Sequence, residues 1–78
     1  MQQGQLRNGK LMRYVNFEDG TRLNLCRTTG KGSDKRTHCV MHDRQNRYFD
    51  SYENALLAFN IALSNRRHKG IREQGHVM

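Results

Sequence analysis

The chain has 78 residues, 14 of them Lys or Arg against 7 Asp or Glu, for a formal net charge of +7. A chain this short forms at most one domain with a small core, which excludes a large active-site cavity, and its basic excess favours acidic partners such as nucleic acid. No apolar run approaches the roughly 20 residues of a membrane span, and the opening MQQGQLRNGK lacks the apolar core of a signal peptide, so we expect no membrane partner and a cytoplasmic location.

Residues 1–9 are polar and aperiodic and read as a flexible leader. From Lys10 to Phe17, KLMRYVNF, aromatic and branched residues predict a strand with Leu11, Val15 and Phe17 on one side. Asp19-Gly20, two residues that tolerate positive φ, predicts a hairpin, with Thr21 to Arg27 as the returning strand. The two-residue period puts Leu23 and Leu25 on the core side and Arg22, Asn24 and Cys26 on the polar side. Thr28 to Lys35, TTGKGSDK, reads as a flexible basic loop, and it lacks the glycine spacing and the following helix of a nucleotide-binding P-loop. Arg36 to Asp43 predicts a third strand with Cys39 and Met41 on one side and His38, Val40 and His42 on the other. Alternation alone does not say which side is core. Asp43 to Asn46 supplies turn residues, and Arg47-Tyr48-Phe49 a short last strand whose Phe49 packs under a helix.

That helix is predicted over Asp50 to Gly70. Asp50 caps the first turn with Glu53 reaching back three residues later, and Tyr52, Leu56, Phe59 and Leu63 share one face, flanked by the small Ala55 and Ala62. Arg66, Arg67, His68 and Lys69 lie at the negative end of the helix dipole, with Gly70 as a left-handed stop. Leu57 and Ile61 point away from the main apolar face, which predicts a second contact surface. Residues 71–78 show no periodicity and read as a flexible tail. The plan is a single α+β domain over residues 10–70, a three- to four-stranded antiparallel sheet packed against one C-terminal helix in the order ββββα. Such a domain leaves one sheet face open, and that face is the functional candidate.

Ten of the basic residues are Arg, whose planar fork matches phosphates and guanine edges. Between Arg22 and Arg47 seven basic residues face two acidic ones. Arg22 and Asn24 share the polar strand face, suited to guanine and adenine, while Lys31 and Lys35 on the loop suit phosphates. Such cations also serve solubility and edge protection alone in many small sheets. Cys39 and His42 are three apart and so face opposite ways in a strand, and Cys26 has no second ligand nearby; we assign no metal, cofactor or catalytic residue and expect free thiols and no enzyme.

The segment RYFDSYENALLAFNIALSNRR, Arg47 to Arg67, resembles the end of the ethylene-response-factor (APETALA-type) DNA-binding domain, where a strand ending in Phe-Asp leads into an alanine-rich helix; the matching residues are Phe49, Asp50, Ala55, Ala58, Phe59 and Asn60. Upstream, RTTGKGSDKRTHCVMHDRQNRYF is similar to that family's strand, Gly-Lys turn, strand, turn and short strand, so the resemblance covers residues 21–69. Tyr48 stands where that family has glycine, and the chain has no Trp. Similar three-strand-plus-helix modules occur in the arm-binding domains of phage and transposon integrases. The resemblance implies a sheet laid in the DNA major groove, with Arg27, Arg36, Arg44 and Arg47 added to the candidates. The expectation is therefore a nucleic-acid-binding regulator or accessory protein of phage or mobile-element type, DNA ahead of RNA. The alternative is an interaction module or inhibitor that docks an acidic host protein through Leu57, Ile61, Arg66 and Arg67 or the basic sheet, as a monomer or homodimer.

Overall fold

A computed structural model describes residues 8–28 and 36–77. The predicted leader up to residue 7 and most of the basic loop, Lys31 and Lys35 included, lie outside the described residues. The elements run β1 (Asn8–Phe17), β2 (Arg22–Thr28), β3 (His38–His42), β4 (Gln45–Phe49), α1 (Tyr52–Arg66), a 3-10 turn over Arg67–Lys69, and β5 (Ile71–His76). The five strands form one antiparallel sheet in the order β4-β3-β2-β1-β5, with α1 lying across β2, β3 and β4. The α+β plan of strands followed by a helix stands, with a fifth strand added.

The hairpin between β1 and β2 closes as expected, though by a different use of its residues. Of Asp19 and Gly20 only the glycine takes a positive φ, +92°, and donates its N–H to the Phe17 carbonyl at 3.0 Å. Asp19 acts through its side chain, accepting from the Thr21 hydroxyl at 2.6 Å and the Thr21 N–H at 3.0 Å, an Asx-type lock on the turn. The turn between β3 and β4 is only two residues long, Asp43 at φ 55° followed by Arg44, because Gln45 already pairs with His42. β4 therefore begins two residues earlier than the turn-rich composition of 43–46 predicts.

The core face is set by Leu23 and Leu25, both fully buried, as the period required. Register then decides what alternation left open. Val40 pairs with Leu25 and joins the core with Val15 and Phe17, so the His38, Val40 and His42 side of β3 faces the helix. In β1 the register slips between Leu11 and Arg13, a bulge that turns Met12 into the core and leaves Leu11, the expected core residue, on the other face beside Cys26. From α1 the buried residues are Ala55, Phe59, Ala62 and Leu63, with Tyr52 and Leu56 partly buried beside them, which is the predicted face. Phe59 is the largest of these and carries Arg13 over its ring at 4.8 Å.

Both helix ends differ from expectation in detail. The N-cap is Ser51, extended at φ −150°, whose hydroxyl accepts from the Asn54 N–H at 3.2 Å, so Asp50 is displaced to a side-chain contact with Asn54 at 3.4 Å. At the other end Gly70 takes φ +83° and donates to the Arg67 carbonyl at 3.0 Å, which turns the chain back toward the sheet. The stretch expected as a loose tail is β5, paired along Arg13 to Phe17 of β1, with the Gly70 carbonyl accepting from the Glu18 N–H at 2.9 Å. It is an edge strand held by backbone pairing, and only Ile71 packs on the core, so no apolar period announces it.

Phe59→Ala removes the largest helix contribution to the core and costs about 3–5 kcal/mol, much of the stability of a small domain, which urea denaturation reads directly. Truncation after Gly70 strips β1 of its outer partner; we expect a lower denaturation midpoint and faster amide exchange in β1, where a free tail would change neither.

Candidate nucleic-acid interface

The open face is defined by the residues that alternate with the core set. One row across the sheet is Asn46, Met41, Asn24, Tyr14 and Gly75; the next is Tyr48, Cys39, Cys26 and Leu11; a third, at the end of the face, is Arg22, Asn16 and Glu73. The middle of this face is softer than sequence reading implied. Cys39 is 0% exposed and Cys26 6%, and the Cys26 Sγ lies 3.9 Å from the Met41 Sδ. Burial pushes the Cys39 thiol up to about 11 and raises Cys26 as well, so both are neutral, free thiols that fill space. Tyr14 lies against the β5 backbone, where a Cβ at Gly75 would sit 2.6 Å from its ring; the missing side chain makes room for the aromatic.

Arginine lies at the margins of this soft centre. Arg22 donates from Nε to Asn16 Oδ1 at 2.8 Å, and Asn16 donates in turn to Glu73 Oε1 at 3.4 Å. This chain fixes the stem of Arg22, while its two terminal nitrogens have no partner among the described residues. Arg44 is exposed in the β3–β4 turn and forms no ion pair among the described residues. Arg36, just before β3, holds its guanidinium 5.4 Å from the Tyr48 ring centre. Between the β1–β2 and β3–β4 turns the surface dips into a depression lined by Arg22, Asn24, Met41, Asp43, Arg44 and Asn46. Asn24 reaches into it with its amide carbonyl oxygen buried and unbonded among the described residues.

The carboxylates on the two turns are drawn toward the helix end. Asp43 meets the Arg66 Nη2 at 2.9 Å, and Arg66 also hydrogen-bonds the His42 Nδ1 at 3.0 Å and the Ala62 carbonyl at 3.2 Å. Asp19 meets Lys69 Nζ at 3.2 Å in addition to Thr21. The Arg66 hydrogen bond holds the Asp43 carboxyl below the ordinary carboxylate range, and the Thr21 hydroxyl, with its backbone N–H and Lys69, holds Asp19 at about 2. With Asp19 and Asp43 paired to Lys69 and Arg66, the depression keeps the positive charge of Arg22 and Arg44, neither of which has an ion pair among the described residues.

Four of the predicted residues, Arg22, Asn24, Arg36 and Arg44, thus gather on or around one face. Arg27 and Arg47 do not, because the period that buries Leu23, Leu25 and Val40 sends both to the helix side. Arg27 sits opposite His38, whose pKa is lowered by burial and then by the Arg27 charge, and Arg47 lies 5.5 Å over the Phe49 ring. Arg66 is committed to Asp43 and His42, Arg67 is exposed on the 3-10 turn, and Leu57 and Ile61 are exposed on the helix flank. The structure adds Tyr14, Met41, Asn46 and Tyr48 to this face; Tyr14 and Tyr48 are legible from the strand period alone, whereas Asn46 requires a β4 that begins at Gln45.

Among the described residues no three His, Cys, Asp or Glu side chains cluster as metal ligands, and no helix is long and apolar enough to cross a membrane. Comparisons with protein families, with curated proteins and with solved structures find no match to this chain.

Because Asp19 and Asp43 are held below their unfolded values, the folded state binds fewer protons than the unfolded one in acid. The stability they contribute is present above about pH 4 and is lost as pH falls through that range toward about 2. Thermal melts should therefore drop most steeply below about pH 4, and the double change Asp19→Asn, Asp43→Asn should flatten that drop.

Proposed function

We propose that this chain is a small DNA-binding protein that lays the open face of its sheet in the major groove. We take it as a regulator or accessory factor of phage or mobile-element type. The observation that carries the reading is the depression between the two hairpin turns, where Arg22, Arg44, Asn24 and Asn46 converge and the adjoining carboxylates are already paired.

The chemistry divides among these residues. Arg22 and Arg44 present the fork that bonds guanine O6 and N7 or a phosphate, and the exposed Asn46 the amide that bonds adenine N6 and N7. Met41 and Tyr14 offer apolar contact of the kind a thymine methyl takes. Arg36 contacts the phosphate backbone in this reading, as do Lys31 and Lys35 on the sequence, and such contacts position the protein without specifying bases. Duplex DNA is favoured over duplex RNA on dimensions. The B-form major groove, about 12 Å wide, exposes base edges to side chains on a sheet face, and the deep, narrow A-form major groove does not.

The test is fluorescence anisotropy with a random-sequence duplex over a range of salt. Affinity should fall linearly with salt on logarithmic axes, and Arg22→Ala with Arg44→Ala should reduce that slope by about 2 while weakening binding about tenfold or more. Arg67→Ala, remote from the face, should change neither as strongly. Absence of binding at low salt, or amide shifts confined to the helix side in an NMR titration, overturns the proposal.

A further inference from the structure

On the opposite side of the molecule, α1 rides over β2 and β3 and covers β4 less completely, so a groove runs between the helix flank and the edge of the sheet. Its apolar floor and wall are Phe49 and Ala58 with Leu57 and Ile61, which are 61% and 54% exposed and stand one helical turn apart. Two large aliphatic side chains this exposed on so small a domain form a patch that water covers poorly. The residues lining the groove include no carboxylate, and their two cations are Arg66, already bound to Asp43, and Arg47, which has no ion pair among the described residues. Alongside runs β4, an edge strand of five residues with no strand partner on its outer side among the described residues.

We propose that this groove receives an extended acidic segment of a partner protein, which adds to β4 as a sixth strand and places alternate aliphatic side chains against Leu57, Ile61 and Phe49. Strand addition supplies backbone hydrogen bonds along the free edge, and the two-residue period turns every other side chain of the incoming segment into the groove. Arg47 shares the groove side with Phe49, so the incoming side chain that meets it lies on the same strand face as the aliphatic ones, two residues along, and is acidic. Nucleic acid does not fit here, since a phosphate backbone offers nothing to bury Leu57 and Ile61. A second copy of the chain fits less well, because two-fold pairing of β4 with itself brings basic strands together in a protein of net charge +7. The other sheet edge differs in chemistry, for β5 exposes Arg72, Glu73 and Gln74. This site is separate from the proposed DNA face and does not depend on it.

The experiment selects binders from a displayed random library of roughly twelve-residue peptides on immobilised full-length protein, then measures one selected peptide by calorimetry and by NMR on labelled protein. Recovered sequences should carry an acidic residue two positions from an aliphatic one, both on the strand face turned into the groove. Leu57→Asp with Ile61→Asp, and separately Arg47→Glu, should each weaken the peptide about tenfold or more, while Arg22→Ala with Arg44→Ala leaves it unchanged. All these positions are exposed, and circular dichroism confirms that each variant keeps its fold before it is compared. β4 amides should shift and gain exchange protection on binding. The proposal is overturned if no sequences are enriched, if the enriched peptides carry no acidic bias or ignore the Leu57 and Ile61 changes, or if the shifts map elsewhere. It is equally overturned if sedimentation shows a dimer that Ile61→Asp dissolves, since the groove is then filled by a second copy.

Discussion

Phe59 is buried in one cluster with Leu23, Leu25, Val15, Phe17 and Val40, and the rest of the molecule depends on that contact between one helix and one sheet face. A single helix about 10 Å across covers roughly two strands of a sheet whose strands stand about 4.8 Å apart. Here five strands must be accommodated. Beyond the helix the remaining positions on the covered face are closed by long side chains, Arg13 over Phe59 and Lys69 over Phe17, whose aliphatic stems shield apolar surface while their charges stay near water. The uncovered area appears as the open face on one side and the β4 flank on the other.

Charge is arranged around the same frame. The turns at Asp19 and Asp43 both lie toward the helix C-terminus, where Lys69 and Arg66 meet them, so the chain's basic helix end ties down two hairpin turns as well as complementing the helix dipole. Exposed pairs of this kind contribute little stability individually. Their effect on the surface potential is larger, because with the turn carboxylates paired at the helix end Arg22 and Arg44 stand beside the depression without an ion pair among the described residues.

The proposed DNA face and the proposed peptide groove are then two consequences of incomplete coverage, and their chemistry differs. The open face sets amides and guanidinium groups around half-buried tyrosines and sulfur, a surface of polar hydrogen-bonding groups with little exposed aliphatic area. The groove sets exposed aliphatic side chains beside a free strand edge. A small basic domain that used both would link a nucleic acid to an acidic protein through opposite sides of one sheet.

By itself the sequence determined the local elements whose signals are written in consecutive residues: the Asp19-Gly20 hairpin, the alternation of Leu23 and Leu25, and the helix face of Phe59 and Leu63. These rest on backbone geometry and on periods of 2 and 3.6, which need no knowledge of the rest of the chain. Tertiary structure decided the remainder. The inward side of β3 followed from pairing Val40 with Leu25, and the exchange of Met12 for Leu11 from a bulge that only the register with β2 reveals. Ile71–His76 became a strand because β1 offered an unpaired edge, a property of the neighbour and not of its own residues. The candidate site divided in the same way: Arg22 and Asn24 were legible from the strand period, but their union with Arg44 and Asn46 required two turns, far apart in sequence, to lie side by side at one end of the sheet.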